Sequence, residues 1–159
     1  MKTIEITERT HKIISKNRKA FHDFEILQTI ETGIILKGTE VKSLRLGQCS
    51  LQDSYAAFPD QHDNELYLYN CHISPYEQGN RENQEPKRIR KLLVNHREAV
   101  KLRTAVQEKG FTLLPLSIYF SGKFVKVQLG YARSKKKYDK REDVKQRETE
   151  REIRRKYRM

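Results

Sequence analysis

Two runs of alternating residues restrict this chain more than any other feature. In residues 111–120, Leu114, Leu116, Ile118 and Phe120 alternate with Pro115, Ser117 and Tyr119. In residues 123–131, Val125, Val127 and Leu129 alternate with Lys126 and Gln128. A period of two sends successive side chains to opposite faces of a strand, so each run has one apolar face. Ser121-Gly122 between them is a two-residue hairpin signal. A hairpin with an apolar face needs other elements to cover it, and the preceding residues supply them.

Ser15 is placed to cap a short helix reaching about His22. Residues 24–30 read as a strand, Thr32-Gly33 as a turn, and Ile34-Ile35-Leu36 as a second buried strand. Thr39 is a good N-cap for a helix over 40–46 that Gly47 ends. Residues 50–58 read as a further strand. In 66–71, Leu66 and Leu68 oppose Tyr67 and Tyr69. Residues 74–86 are the longest stretch poor in apolar groups and the expected mobile loop. Arg88, Arg90 and Lys91 lead into Leu92-Leu93-Val94, and Asn95-x-x-Glu98 opens a capping box. Ala99, Leu102, Ala105 and Val106 then mark an amphipathic helix that Gly110 stops. Several short strands with one good helix predict a mainly β fold with flanking α-helices, compatible with an OB-like antiparallel β-barrel.

The C-terminal end belongs to no such core. Residues 131–159 hold 13 Lys or Arg against six Asp or Glu, a local excess of +7 in a chain of net charge +12. There is no Gly or Pro after Gly130, and Lys, Arg, Glu and Gln prefer helix. Asp143 with Arg147, Glu150 with Arg154 and Glu152 with Lys156 fall at i,i+4. Val144 and Ile153, nine apart, make no continuous apolar stripe. The segment is expected to fray in free solution and to become helical on a polyanion.

A basic balance points to RNA or DNA, with a membrane surface as the competing polyanion. No apolar run is long enough to span a bilayer, and no signal-peptide core follows the N-terminus, which favours a cytoplasmic protein without a membrane partner. Cys49 and Cys71 are too few for a disulfide scaffold and read as free thiols. The five His show no zinc-ligand spacing with them, so neither metal nor cofactor is expected. There is no nucleophile elbow, phosphate loop or HExxH, and no enzyme is expected. Arg18, Lys19, Lys42, Arg45, Arg88, Arg90, Lys91 and Lys126 are spread over the predicted barrel, with Tyr and Phe available to stack on unpaired bases. Glu31 is a carboxylate in a basic field. It either pairs with a Lys or Arg or accepts hydrogen bonds from a base edge.

Six ordered segments carry a resemblance: NRKAFHDFEI (17–26), ETGIILKGTEVKSLRLG (31–47), DSYA (53–56), ISPYEQGN (73–80), RIRKLLVN (88–95) and KKKYDKR (135–141). The chain resembles the small protein B (SmpB) family, bacterial proteins that bind transfer-messenger RNA, the ssrA RNA, in trans-translation. The resemblance implies an OB-type barrel over 17–132, an arm over 1–16, and a basic tail over 133–159 that is disordered when free and helical on the ribosome. It implies a monomeric, non-enzymatic adaptor. The barrel would hold the tRNA-like domain of transfer-messenger RNA and deliver it to the A site of a stalled ribosome. Glu31, Leu93 and Lys126 would form the RNA face, with Asn17, Arg18, Lys19, His22, Lys42, Arg45, Arg90 and Lys91 as weaker contacts. Lys135, Lys136, Tyr138, Asp139, Lys140 and Arg141 would lie at the decoding centre, Tyr138 stacking on a base of the small-subunit ribosomal RNA. The remaining tail, Ile153 included, would run along the empty messenger channel. Ser134 stands where the family commonly has Gly.

Overall fold

The structure, a computed structural model, describes residues 11–60, 62–135 and 137–157, with the backbone alone at 80, 109 and 137–140. Its strands in chain order are β1 (His11–Lys16), β2 (Phe24–Ile34), β3 (Cys49–Ser50), β4 (Tyr55–Ala57), β5 (Leu66–Tyr69), β6 (His72–Ile73), β7 (Arg90–Leu93), β8 (Thr112–Ser121) and β9 (Phe124–Ser134). Its helices are α1 (Arg18–Asp23), α2 (Gly38–Arg45), α3 (His96–Lys109) and α4 (Lys137–Lys156). The architecture is a mainly β sheet with flanking helices.

The hairpin of β8 and β9 is the spine. Every pairing is antiparallel, and the larger sheet runs β1-β8-β4-β5-β7-β2-β9, with β9 pairing back onto β8. The ladders therefore form a circuit, β8 to β4, β5, β7, β2, β9 and back to β8. β1 lies outside it, using the half of the β8 edge that β4 leaves. β4 meets β8 at Leu113, and β1 pairs with Ser117 to Ser121. His11–Lys16, read from sequence as arm, is thus hydrogen-bonded into the sheet; residues 1–10 lie outside the described ones.

A bulge between Pro115 and Ser117 separates the two halves of β8. An extra residue at a bulge flips the side chains beyond it to the other face, and Pro, lacking an N–H, is tolerated there. The run from Leu114 to Phe120 is therefore divided. Leu113 and Ile118 point into the main core with Leu44, Leu51, Leu66, Leu68, Leu92, Leu102, Val127 and Leu129. Leu114 and Leu116 face outward under α1, with Ala20, Ala132, Phe24 and Ile26. One strand thus carries two cores, which is why residues 113–119 are all buried.

Several local readings change. The strand read over 34–36 ends at Ile34, with Ile35 exposed, and the strand read over 50–58 is only the end of β3 and then β4. Ser15 lies in β1, and Asn17 caps α1: its Oδ1 accepts from the Ala20 N–H at 3.2 Å while its Nδ2 donates to the carbonyls of Leu51 and Pro115. Thr32-Gly33 makes no turn. β2 runs through it, because Gly33 pairs with Leu93 on one side and Lys126 on the other. A Cβ at Gly33 would stand 3.2 Å from the Leu93 Cβ, so the glycine serves close approach of two strands. Thr39 lies inside α2, whose start is capped by Glu40 accepting from the Lys37 N–H at 2.9 Å. At α3, Asn95 and Gly110 act as read, Asn95 accepting from the Arg97 N–H and Gly110 lying in the left-handed region, but the described bonds do not include the Glu98 half of the capping box. Within residues 74–86, a 3-10 turn over Glu77–Glu82 is closed by Asn83, which bonds both the N–H and the C=O of Tyr76.

Candidate nucleic-acid interface

Cross-strand neighbours in an antiparallel sheet share a face. Leu93 on β7 lies opposite Gly33 on β2, Gly33 opposite Lys126 on β9, Lys126 opposite Tyr119 on β8, and Tyr119 opposite Ile13 on β1. The next row on that face holds Glu31, Gln128, Ser117 and Lys16. Leu93 is 51 % exposed and Ile13 50 %, so the face is open to a partner. The three residues singled out as the RNA face, Glu31, Leu93 and Lys126, are thus brought together from three adjacent strands.

Glu31 accepts a hydrogen bond from the Tyr119 hydroxyl rather than pairing with a cation. Burial, and then the bond to Glu31, push the Tyr119 phenol up from its ordinary value. The His11 ring meets Tyr119 edge-on at 5.3 Å. Tyr119, Gln128 and Ile13 escaped the sequence reading of the site. Alternation alone sent Tyr119 outward, but its partnership with Glu31 depends on strand register. A carboxylate held by a neutral donor keeps accepting capacity for the amino or imino edge of a base, and the adjacent Lys126 ammonium suits a phosphate.

The remaining cations divide by what they touch. Lys91, two residues before Leu93 on β7, pairs with Glu65 at 2.8 Å; this bond raises the lysine's pKa and lowers the glutamate's. Lys19 pairs with Asp53 at 3.0 Å, and His22 shares a 2.8 Å contact with Asp23; Arg18 beside them is exposed. Lys42 sits over the Tyr76 ring at 5.4 Å. Arg45, Lys12 and Lys123 line one cleft of about 340 Å³ with Phe120 and Gly122, and no acidic residue lines it.

Two expected contacts are not surface groups. Arg90 is 0 % exposed. Its Nε donates to Glu40 at 2.6 Å, Nη1 to the carbonyls of Cys71 and Arg88, and Nη2 to that of Pro86. All three nitrogens are occupied, so the side chain anchors α2 to β7 and does not reach an RNA. Arg88 joins Glu40 from the other side at 2.5 Å. Burial alone would raise the Glu40 pKa, but the bonds from Arg88, the Lys37 N–H and Arg90 outweigh it and hold the carboxyl below its usual range. Asn17 is likewise buried, and its amide is spent on the α1 cap and two carbonyls. Charge and amide content made both look like surface groups; nothing local marks a buried Arg.

The tail begins with Lys135. Its N–H donates to the Asp23 carbonyl at 3.0 Å, and its Nζ donates to the Phe21 carbonyl and to Asp143. The bond from Lys135, opposed by slight desolvation, holds the Asp143 carboxyl below its ordinary range. Lys135 thus ties the end of α1 to the second turn of α4. Arg141, Val144 and Lys145 lie beside His22. Val144 is 39 % and Ile153 49 % exposed, in keeping with the missing stripe. Lys136 lies outside the described residues, as do the side chains of Tyr138, Asp139 and Lys140.

Among the described residues, no helix is long and apolar enough to cross a membrane, and no group of three or more His, Cys, Asp or Glu gathers as metal ligands. The family model of the SmpB protein matches residues 14–159. The SsrA-binding protein of Carboxydothermus hydrogenoformans is 57 % identical over 142 residues, covering 89 % of this chain and 93 % of that one. The SsrA-binding protein of Geobacillus kaustophilus is 52 % identical over 147 residues, covering 92 % and 93 %. A solved structure concerned with tmRNA-SmpB and the center of the bacterial ribosome superposes with a TM-score of 0.65 at 49 % identity, over 82 % of this chain and 93 % of that one. With its motifs, sheet and matched length in agreement, this chain belongs to the SmpB family.

Proposed function

We propose that the protein is the RNA-binding adaptor of trans-translation. Its body binds the tRNA-like domain of transfer-messenger RNA, and its C-terminal tail probes the empty decoding centre and messenger channel of a stalled ribosome. The observation that carries this reading is the outer face, where Glu31, Leu93 and Lys126 converge from three strands beside Tyr119 and Gln128. Its SsrA-binding relatives and the likeness to a structure of tmRNA-SmpB support it.

The closed circuit of ladders supports an OB-like barrel as the fold of the body. Residues 17–132 then act as the RNA-binding unit, with β1 added at its edge, and 133–159 as the ribosome-binding tail. Lys91, Arg18, Lys19, His22, Lys42 and Arg45 give the body further phosphate contacts, while Asn17 and Arg90 hold its frame. Lys136, Tyr138, Asp139, Lys140 and Arg141 act at the decoding centre. Lys135 sets where α4 leaves the body, and Ile153 rides in the channel. The protein works as a cytoplasmic monomer, and it positions RNA without catalysing a reaction. A tail of +7 with no docking stripe finds in a phosphate-lined channel the partner that stabilises its helix.

The test is a pair of assays on the full chain and on Lys126→Ala and Leu93→Ala. Both variants lose affinity for the isolated tRNA-like domain and keep their fold. Unchanged affinity in both would remove this face from RNA recognition.

A further inference from the structure

The chain has two cysteines, and the fold brings them together. Cys49 opens β3 and Cys71 immediately precedes β6. β3 and β6 pair Cys49 with Ile73 and Ser50 with His72, so Cys49 and Cys71 are diagonal neighbours on one face of this small sheet. Their Sγ atoms stand 4.0 Å apart. Cys71 is 0 % exposed, whereas Cys49 is only partly buried. The fully buried Arg90 guanidinium donates to the Cys71 carbonyl at 2.7 Å, which places a fixed positive charge beside that thiol. The adaptor reading uses neither sulfur.

We propose that Cys49 and Cys71 are a redox-modifiable pair that closes to an intramolecular cystine when the protein meets a low-molecular-weight disulfide. Cys49 reacts first because it is only partly buried, whereas Cys71 is fully buried. Its thiolate attacks the small disulfide, one thiolate leaves and takes up the proton that Cys49 gave, and a mixed disulfide remains on Cys49. The Cys71 thiolate then attacks Cys49 Sγ and expels the second small thiolate, which takes up the Cys71 proton. Two protein thiols lose two electrons and two protons, and one small disulfide becomes two thiols. The geometry suits the second step. The attacking sulfur is already in contact, and rotation about the side-chain bonds must close the gap from 4.0 Å to the length of an S–S bond.

Exposure, not acidity, sets this order, because in the reduced pair the lower pKa belongs to the buried Cys71. The hydrogen bond from Cys49 and the charge of Arg90 lower the Cys71 pKa against the opposing effect of burial. The Cys49 thiol is held up by its bond to Cys71 and by burial. The resulting cross-link staples β3, which follows α2 with Lys42 and Arg45, to the corner between β5 and β6. It does so without touching the face of Glu31, Leu93 and Lys126.

The experiment exposes the full chain to glutathione disulfide, quenches in acid, alkylates the remaining thiols under denaturing conditions and weighs the intact protein. The expected product is a monomer lighter by two hydrogen atoms, with neither cysteine alkylated and full reversal by dithiothreitol. Its thermal midpoint rises by about 5 °C or more, because the cross-link restricts the unfolded chain. Cys71→Ser is expected to stop at a stable glutathione adduct on Cys49. The wild-type mass is decisive without that variant. Two alkylatable thiols after oxidation, a persistent adduct on Cys49 of the wild type, or a disulfide-linked dimer would each overturn the proposal.

Discussion

The outer face of the sheet and α4 are both basic surfaces, and they are built in opposite ways. The face takes residues from β7, β2, β9, β8 and β1, and strand register sets their spacing. A shared core lies behind it, and neighbours restrain its charges: Tyr119 holds Glu31, and Glu65 holds Lys91. α4 is continuous in sequence, and its described side chains are exposed except Asp143. Its hold on the body is at its base, where Lys135 bridges Phe21 and Asp143, while Val144 and Ile153 remain exposed. A surface assembled from distant residues is rigid before its partner arrives. A surface made of one segment relies on its partner for the contacts that a core would supply.

The contrast is broken most sharply by truncation. A chain ending at Lys137 is expected to bind the tRNA-like domain within about threefold of the full chain, yet to lose tagging of stalled chains by about 100-fold or more. Those figures reflect removal of many phosphate contacts from one activity and few from the other. A binding assay and reconstituted translation read the two separately, and parallel losses would merge the regions into one.

Arg90→Ala comes next and sharpens the difference between frame and face. It leaves Glu40 buried beside a void and is expected to cost about 3–5 kcal/mol of stability in a urea titration. Arg90→Lys should not restore it, because an ammonium lacks the planar fork that meets Glu40 and three carbonyls. A stable Arg90→Ala protein with weakened RNA binding would return Arg90 to the face.

Smaller effects come from the face itself. Lys126→Ala is expected to reduce RNA affinity about tenfold and to lower the salt slope by about one. Leu93→Ala should reduce affinity without changing that slope, because it removes contact area and no charge. Equal slope changes in both variants would mean that the face acts as a diffuse field rather than as distinct contacts.

The smallest effect is one of pH. The Tyr119 phenol is raised in the folded protein above its unfolded value near 10, so the native state binds the extra proton between the two. Its contribution to stability is full below about pH 10 and is lost as pH climbs toward the folded value. Tyr119→Phe is expected to flatten that alkaline decline in thermal midpoint. An identical decline in the variant would detach the phenol from the stability of the face.

The site was partly legible before the fold. The family resemblance named Glu31, Leu93 and Lys126, but nothing along the chain showed that Gly33 lies between two of them. Thr32-Gly33 looked like a turn because glycine in a window of residues reads as a breaker. Close approach of two strands can be seen only when both are present. Arg90 looked like its exposed neighbours because its burial depends on Glu40, 50 residues away.

What the sequence determined by itself is local. Alternation set the β8–β9 hairpin, Asn95 and Gly110 bounded α3, and composition made the tail a charged helix without a stripe. Propensity, capping and periodicity act within a few residues, so they survive being read one window at a time. Tertiary structure decided the rest: the bulge that splits β8 between two cores, the bond joining Glu31 to Tyr119 across 88 positions, the burial of Arg90, and the meeting of Cys49 with Cys71. The Glu31–Tyr119 and Cys49–Cys71 contacts depend on register between strands that are not consecutive in the chain. A shift of one residue in that register would turn every side chain concerned to the other face.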